Sequence, residues 1–469
     1  MAAAGSLTFV SACATLPSSG GRLAVQGWMT TADGSRKLAD MRDIRAETIP
    51  GPGVVITVDS ATKYQTMRGF GAALTDASAW LMTHRMSPSA RSALLQELFG
   101  RSGGTNPGLG LDAVRMTIGA SDFSLTHYSL ADFPGRAQAD IAPLRAEVLP
   151  VLDEIRRINP GLTLMATPWS APAWMKQSGL LIQGRLAPSH YGDFAEYLTS
   201  FAVAMRSEGQ PIDYLTIQNE PHFEPKDYPG MRMDPAERAS FVGAHLGPVL
   251  ARKAPGTRIL EWDHNWDQPE SPTAVLSDPR AEPFIAGVAW HCYGGDVAAQ
   301  SLVHDRFPAK ETWFTECASG NWSPDWAKSF AWTVKTLVIG TTRNWASGVL
   351  MWNVALDKKH GPHLGGCGDC RGLVTIDSAT GSVMRSPEYY AFAHASRFLR
   401  PGDVRIGSSS AGSETNHVAF QSGDGRKRTL IVQNAAASQR RYSVIDGRSA
   451  FSFAMPAGSV ATLVWPASR

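Results

Sequence analysis

Two glutamates in this chain each close an apolar run, a setting in which carboxylates act on glycosidic bonds. Glu220 lies in YLTIQNEP at residues 214–221, and Glu316 lies in ETWFTECA at residues 311–318. Cleavage of a glycosidic bond needs one carboxylic acid that protonates the leaving oxygen and one carboxylate that attacks the sugar or activates water. The two glutamates are therefore the candidate catalytic pair.

Neighbouring residues divide the roles within this pair. Asn219 stands beside Glu220 and is a candidate to bind the sugar 2-hydroxyl, which makes Glu220 the candidate acid/base and Glu316 the candidate nucleophile. Adjacent strand residues face opposite ways, so both side chains reach one pocket only if the strand twists or ends there, and Pro221 is consistent with an ending. A nearby ionised Glu316 is expected to raise the pKa of Glu220.

The separation of the two carboxyl groups decides the stereochemistry. About 5–5.5 Å would mean retention through a covalent intermediate, and about 6.5–9.5 Å would mean inversion. The sequence alone does not decide which of these two ranges the separation falls in.

The elements that must position these residues follow an α/β pattern. Between about residues 66 and 357, strand-like apolar runs alternate with helix-like segments, which predicts a (β/α)8 TIM barrel. Catalytic residues of such barrels lie at the C-terminal ends of strands, where polar side chains also fall in nearly every run here. The runs cover residues 69–71, 112–118, 162–170, 213–221, 257–267, 286–293, 311–318 and 347–357.

The two ends of the chain have a different pattern from the barrel. Beyond about residue 400 short alternating runs predict a small antiparallel β domain, and residues 23–40 alternate in the same way. We therefore expect a flanking antiparallel β-sandwich built from both chain ends. The predicted boundaries are 22–50 for N-terminal strands of the sandwich, 51–398 for the catalytic barrel and 399–469 for the C-terminal sandwich.

The first 21 residues read as a signal or lipobox-like segment followed by a tether. MAAAGSLTFVSAC resembles the lipobox of bacterial lipoproteins, although no Lys or Arg precedes its apolar part. The pattern predicts export with a lipid anchor at Cys13, and a cytoplasmic protein if the segment is not a functional signal. No apolar run reaches the roughly 18 residues that a transmembrane span needs.

Charge and composition narrow the class of partner. The chain has 44 Lys and Arg against 42 Asp and Glu, a net charge of +2, without a basic stripe. This balance argues against a nucleic-acid partner and favours a neutral substrate. Fourteen Trp residues suit stacking on sugar rings, although packing in the core accounts for most of them.

An ordered set of motifs resembles glycoside hydrolase family 30, which includes glucosylceramidases and β-1,6-glucanases. The motifs are GFGAALTDAS, RMTIGASDFS, ATPWSAPAWMK, QNEP, WHCYGG, TECASG and WNVALD, in that order along residues 69–357. The resemblance implies a TIM barrel with a side β-sandwich and a retaining mechanism without a cofactor. It also implies Glu220 as acid/base and Glu316 as nucleophile.

The resemblance further implies which side chains hold the sugar. Asp122 and Trp169 would hold the outer hydroxyls of a terminal glucose, and Trp352 would form the floor under its ring. His291 and Tyr293 would lie beside the nucleophile, while Asn219 would take the 2-hydroxyl. Arg115 lies inside a strand, where we expect it to pair with a carboxylate beneath the site.

Several functions remain open at this point. The first is a glucosylceramidase-like retaining hydrolase that removes a terminal β-linked glucose from a glucolipid or oligosaccharide. An endo-β-1,6-glucanase would use the same site, as would a transglycosylase, and a non-catalytic carbohydrate-binding protein is the alternative from another class. The loops at residues 222–233 and 358–372 shape the aglycone side and leave the substrate undecided.

The cysteines raise a separate question. His360, His363, Cys367 and Cys370 have a spacing compatible with zinc, although a local disulfide or two free thiols fits better and no metal is expected. Cys292 and Cys317 each adjoin a candidate site residue. We expect them to be small buried apolar residues and not nucleophiles.

Overall fold

The structure is a computed structural model that describes residues 24–47, 51, 53–101, 108–410 and 412–467. The predicted signal segment, with Cys13, lies outside these residues. Among the helices of the described residues, none has the length and apolar character needed to span a membrane.

Within the described residues, eight parallel strands close into a barrel, and each pairs with the next strand in the chain until β8 returns to β1. Each predicted run overlaps one barrel strand, so the predicted fold class is confirmed. The strands are β1 Gly69–Leu74, β2 Ala113–Ile118, β3 Thr163–Pro168, β4 Tyr214–Thr216, β5 Arg258–Asn265, β6 Ile285–His291, β7 Glu311–Glu316 and β8 Ala346–Met351.

Helices cover the outside of the barrel between these strands. α2 illustrates how the sequence starts one: Ser87 caps the helix by accepting a hydrogen bond from the Ala90 N–H, and Pro88 occupies the first turn. The α-helices are α1 Asp76–His84, α2 Pro88–Phe99, α3 Val148–Ile158, α4 Tyr191–Ser207, α5 Pro235–Phe241, α6 Gly247–Lys253, α7 Glu270–Leu276, α8 Ala299–Arg306, α9 Trp326–Trp332, α10 Thr341–Arg343 and α11 Pro387–Ser396. Short 3-10 turns lie at Ala142–Arg145, Ala173–Met175, Pro188–His190 and Glu282–Phe284, and π-helical turns at Val242–Leu246 and Thr333–Gly340.

The barrel interior below the site is filled by side chains. Tyr214 and Trp313 meet there with ring centroids 4.7 Å apart. The Trp313 ring lies so close to Gly348 that a Cβ on that glycine would stand 2.1 Å from it. This packed layer closes the barrel floor, as in other TIM barrels, so chemistry is confined to the C-terminal mouth.

A second sheet flanks the barrel and is built from both chain ends, as predicted. Gln26–Thr30 pairs antiparallel with Val460–Pro466, near opposite ends of the chain. In sheet order its strands are Ala39–Asp40, Gln26–Thr30, Val460–Pro466, Lys427–Asn434, Thr415–Gln421, Val404–Ser410, Val54–Thr66, Arg440–Asp446, Ser449–Met455 and Arg45–Glu47. Smaller sheets pair Ser319–Gly320 with Cys370–Arg371, and Val374–Ile376 with both Ala355–Asp357 and Val383–Arg385.

The predicted start of the barrel at residue 51 differs from the structure. Val54–Thr66 pairs with Val404–Ser410 and Arg440–Asp446 in the flanking sheet, and the first barrel strand begins at Gly69. Only two residues of this strand are buried and the others are exposed or half-buried, whereas every residue of β1 is buried. A strand with one wet face suits an antiparallel sheet better than a barrel wall covered on both sides.

Candidate active site

Glu220 reaches the mouth because the chain leaves the β4 ladder before it. β4 ends at Thr216, and Glu220 adopts a left-handed backbone with φ of 47°. The Asn219 N–H donates to the Pro168 carbonyl and the Glu220 N–H to the Asp263 carbonyl. Because the strand ends here, Asn219 and Glu220 both face the same cavity, although adjacent residues within a strand would face opposite ways.

Glu316 ends β7 and is held by two donors of different kinds. Arg115 Nη1 donates to its Oε2 at 2.6 Å, and the Tyr293 hydroxyl donates to its Oε1 at 2.9 Å. The Ala318 N–H donates in turn to the Tyr293 oxygen at 3.0 Å. Both carboxylate oxygens therefore have fixed partners. Burial of the Tyr293 hydroxyl, and then the charge of nearby Glu316, raise its pKa well above the usual value, so Tyr293 stays a donor.

Arg115 lies beneath the pocket and joins several of its parts, as expected. Its side chain is fully buried in β2. Besides Glu316, its guanidinium donates to Asn219 Oδ1 at 2.7 Å and to Asp263 Oδ2 at 2.8 Å. A buried arginine is tolerated because its donors meet two carboxylates and an amide oxygen. Since Asn219 Oδ1 is occupied, its amide Nδ2 is the group left to face a ligand.

Asp263 is a site residue that the motifs did not predict. Trp262 and Asp263 in β5 have φ of 76° and 53°, and the register to β6 shifts at this point. This bulge directs Asp263 under the site, where it accepts from the Thr216 and Thr315 hydroxyls as well as Arg115. Burial opposes its charge, but Arg115 and then His291 hold its pKa far below the usual range. The polar ending WDHNWD was visible in the sequence, whereas the bulge was not.

His291 bridges Asp263 and Glu220. Its Nε2 lies 3.0 Å from Asp263 Oδ1 and its Nδ1 lies 3.1 Å from Glu220 Oε1. Burial would lower the pKa of His291, but the carboxylates of Glu316, Asp263 and Glu220 outweigh it and raise the pKa to about 9. His291 is therefore an imidazolium that donates to both carboxylates at neutral pH.

The expected rise of the Glu220 pKa is wrong for the protein without substrate. Burial does raise it, but the imidazoles of His264 and His291 outweigh burial and lower the pKa of Glu220 below its usual range. The expectation considered only the neighbouring carboxylate Glu316. The positions of His264 and His291 against the acid/base candidate were not predictable from their spacing in the sequence.

The remaining predicted sugar-binding residues line one end of the cavity. Trp169 and Trp352 stack with centroids 5.2 Å apart and an interplanar angle of 25°, and the Arg115 guanidinium lies 4.9 Å from the Trp169 ring. Asp122 lies beside them, and burial followed by the charge of Glu316 raises its pKa to about 8. Gly366 has φ of 66°, and a Cβ there would stand 2.4 Å from the Asp122 Cβ. The loop after β8 therefore packs directly against Asp122 and walls this end of the pocket.

At the other end the cavity opens to solvent, and its rim carries both aromatic and charged side chains. The cavity has a volume of about 810 Å³. Three aromatic side chains at its rim are about half exposed, namely Phe223 at 47 %, Tyr293 at 46 % and Trp322 at 55 %. Charged and polar residues share this rim, namely Glu224, Lys226, Asp227 and Asn265.

The zinc alternative for the loop after β8 does not fit the structure. Cys367 and Cys370 form a disulfide, so their sulfurs are engaged with each other. His360 Nδ1 faces the Cys370 carbonyl at 2.8 Å, and His363 Nδ1 faces the Gly365 carbonyl at 3.0 Å. The four side chains do not converge, and the local disulfide that the sequence analysis preferred to zinc is present.

The expectation for the other two cysteines holds for the burial of Cys317, but it missed that the two residues are bonded to each other. Cys292 and Cys317 form a disulfide between the ends of β6 and β7. Their spacing of 25 residues gave no signal by itself, and the parallel pairing of β6 with β7 brings the two strand ends together. The bond adjoins His291 on one side and Glu316 on the other.

Comparisons with known proteins agree with this architecture. The family model described as the glycosyl hydrolase family 30 TIM-barrel domain matches residues 67–399, and that of the family 30 beta sandwich domain matches residues 402–463. The chain is 32 % identical to an endo-1,6-beta-D-glucanase of Neurospora crassa, covering 94 % of this chain and 95 % of that protein. It is 25 % identical to the lysosomal acid glucosylceramidase of Mus musculus, covering 88 % and 84 %. The solved structure of the endo-beta1,6-glucanase BT3312 superposes with a TM-score of 0.88 at 31 % identity, covering 95 % of this chain and 99 % of that one.

Proposed function

The chain belongs to glycosyl hydrolase family 30 and is a glycoside hydrolase, and from that premise we propose that it cleaves β-1,6-linked glucan by an endo-acting, retaining mechanism. The observation that carries the substrate is the 32 % identity to an endo-1,6-beta-D-glucanase over nearly the whole of both chains. The glucosylceramidase relative is similar at 25 %, which favours the glucan over the glucolipid.

The mouth of the cavity supports the same choice. A ceramide has two long alkyl chains, which gain most from a continuous apolar surface. The rim instead carries the charged side chains Glu224, Lys226 and Asp227 among its aromatics. Burying such charges under alkyl chains is costly, whereas sugar hydroxyls can hydrogen-bond to them. Aromatic faces at Phe223 and Trp322 suit the apolar faces of glucose units.

In the first chemical step Glu316 attacks the anomeric carbon and forms a glycosyl-enzyme. Arg115 and Tyr293 hold its two oxygens, which fixes the nucleophile in one orientation. The guanidinium forms an ion pair with the Glu316 carboxylate beneath the pocket. The bond to the leaving oxygen breaks as the bond to Glu316 forms.

Glu220 protonates the leaving oxygen, and His291 holds the proton in the protein without substrate. The hydrogen bond between His291 Nδ1 and Glu220 Oε1 contains one proton, which lies on the imidazole before substrate arrives. A bound sugar removes water from Glu220 and makes its charge less favourable, so the proton moves to Glu220. In the second step the Glu220 carboxylate takes a proton from the water that releases the sugar.

The buried end of the cavity binds the glucose unit that is cleaved. Asn219 Nδ2 donates to the 2-hydroxyl, and Trp352 stacked on Trp169 supplies an apolar floor. Asp122 pairs with outer hydroxyls and, with its pKa of about 8, can donate as well as accept. These contacts fix the sugar ring over Glu316.

A product profile tests the substrate. The enzyme is incubated with linear β-1,6-glucan, with gentiobiose and with glucosylceramide, and Glu316→Gln is the catalytically impaired control. We expect mixed β-1,6 oligosaccharides to appear first from the polymer, with slower turnover of the disaccharide and of the lipid. Preferred cleavage of glucosylceramide would favour the glucosylceramidase alternative, and binding of glucan without turnover would favour a carbohydrate-binding protein.

A further inference from the structure

Glu220 faces two imidazoles, and one of them approaches it without forming a hydrogen bond. His264 Nδ1 lies 3.4 Å from Glu220 Oε1, and His291 Nδ1 lies 3.1 Å from the same oxygen. His264 is only 6 % exposed, and its Nδ1 has no hydrogen-bond partner among the described residues. A buried, unpaired nitrogen is unfavourable, so this point of the pocket favours a ligand that binds nitrogen.

We propose that a transition-metal dication of the Zn²⁺ type binds between Glu220, His264 and His291 and inhibits the hydrolase. One ligand atom of each lies within 4.8 Å of the other two. Zinc bonds of about 2.0–2.1 Å place neighbouring ligands about 2.9 Å apart in an octahedron and about 3.4 Å apart in a tetrahedron. The separations of 3.1 and 3.4 Å around Glu220 Oε1 match these edges. The third edge, between the two imidazole nitrogens, is bounded by the 4.8 Å spread of the group.

Asp263 accepts a hydrogen bond from the ring nitrogen of His291 that would not bind the ion. This contact, with Nε2 at 3.0 Å, keeps Nδ1 aimed at Glu220, so that loss of the Nδ1 proton leaves a lone pair at the proposed site. Histidines that bind metals commonly donate their other ring N–H to a carboxylate in this way. The ion replaces the proton between His291 Nδ1 and Glu220, and that proton is released to solvent.

The ligand set and its access define the class of ion. Two nitrogens and one carboxylate oxygen suit Zn²⁺, Co²⁺ or Cu²⁺ better than Mg²⁺ or Ca²⁺, which prefer oxygen. Glu220 and His264 line the open cavity, so an ion can enter from the mouth. Within the described part of the chain, these residues are the one group of three that brings metal-ligating atoms so close.

Inhibition follows from the role of Glu220 and therefore rests on the proposed function. A carboxylate that binds an ion can neither give a proton to the leaving oxygen nor take one from water. Metal binding itself depends only on the geometry, so it can be measured apart from activity.

The test measures ion binding to the full-length purified protein. Co²⁺ is titrated and followed by visible absorption, and Zn²⁺ by calorimetry, at neutral pH. His264→Phe and the isosteric Glu220→Gln each remove one ligand, and His363→Ala removes a histidine of the exposed loop after β8 as a control. A crystal soaked in Zn²⁺ is measured at the zinc absorption edge to locate the ion without any variant.

We expect one ion per chain, affinity lowered at least about tenfold in both ligand variants and unchanged in the control. The anomalous peak should lie within bonding distance of all three ligand atoms, and saturating Zn²⁺ should stop glucan hydrolysis. Unchanged affinity in the ligand variants, or loss in the control, would overturn the site. Site-specific binding that leaves hydrolysis intact would overturn inhibition and the assignment of Glu220. A protein that binds the ion but is inactive on every glucoside when metal-free would count against the proposed function alone.

Discussion

The surroundings of the two carboxylates at the barrel mouth differ in one decisive property. Glu316 accepts from Arg115 and Tyr293, groups that keep their protons throughout the neutral range. Glu220 accepts from His291, a group that exchanges its proton. The first arrangement holds the nucleophile in one orientation, and the second holds a proton for transfer. Two residues of the same type thus obtain different chemistry from their neighbours.

Removal of the nucleophile should have the largest effect on the rate of hydrolysis. Glu316→Gln should lower kcat by about 10⁵–10⁶-fold on every β-glucoside, because no other carboxylate is positioned to form the glycosyl-enzyme. Steady-state rates on glucan and on aryl glucosides measure this, with far-UV circular dichroism to show that the variant folds. A loss confined to poor leaving groups would reverse the comparison and make Glu316 the acid.

Removal of the acid/base should depend on the leaving group. Glu220→Ala should lose about 10²–10⁴-fold on glucan but much less in glycosylation of activated aryl glucosides, which leave without protonation. Pre-steady-state bursts on a series of aryl glucosides measure the first step directly. Equal losses across the series would contradict the assignment.

The proton held between His291 and Glu220 should determine how kcat/KM depends on pH. The pKa of His291 is raised to about 9, so the proton it shares with Glu220 is kept below that pH and lost above it. The alkaline limb of kcat/KM should therefore lie above the ordinary carboxyl range in the native enzyme. In His291→Gln the limb should move to lower pH, since Glu220 alone would hold the proton. An unmoved limb would show that His291 stores no proton.

The smallest expected effect comes from removing the disulfide between the surroundings of His291 and those of Glu316. Cys292–Cys317 links the strand ends beside His291 and Glu316, and its closed loop is much longer than that of Cys367–Cys370. Removal of the first should cost about 3–4 kcal/mol of unfolding free energy and removal of the second about 2 kcal/mol.

Urea unfolding and steady-state kinetics of the two Cys→Ser pairs compare them. A small displacement of catalytic groups is costly, so the pair at 292 and 317 should also lower kcat by about tenfold. The pair at 367 and 370, which lies at the rim, should mainly change KM. Indistinguishable kinetics for the two pairs would show that neither bond positions the carboxylates.

How much of this site is visible in the sequence depends on the origin of each feature. Glu220 and Glu316 were predictable because polar residues at the ends of apolar runs are typical of barrel mouths. Asp263 and His264 were not, because their direction comes from a bulge with two left-handed residues inside β5. The eight barrel strands followed from alternation of apolar runs, while Val54–Thr66 was misplaced because adjacency in the chain suggested the barrel.

The pKa of Glu220 was also not predictable from the sequence. Proximity to another carboxylate predicted a raised pKa, but the structure places two imidazoles against it and the pKa is lowered. Such contacts join residues 71 positions apart in the case of His291. Sequence spacing carries no information on pairings that only closure of the barrel creates.

Covalent trapping tests the division between the two carboxylates most directly. An activated 2-deoxy-2-fluoro-β-glucoside forms the glycosyl-enzyme but releases it slowly, because the fluorine removes the 2-hydroxyl contact and destabilises the oxocarbenium-like transition state. Peptide mapping by mass spectrometry then identifies the labelled residue. We expect one label per chain, on Glu316 within ETWFTECA. A label on Glu220, or an active enzyme that accumulates no covalent intermediate, would contradict the proposed roles.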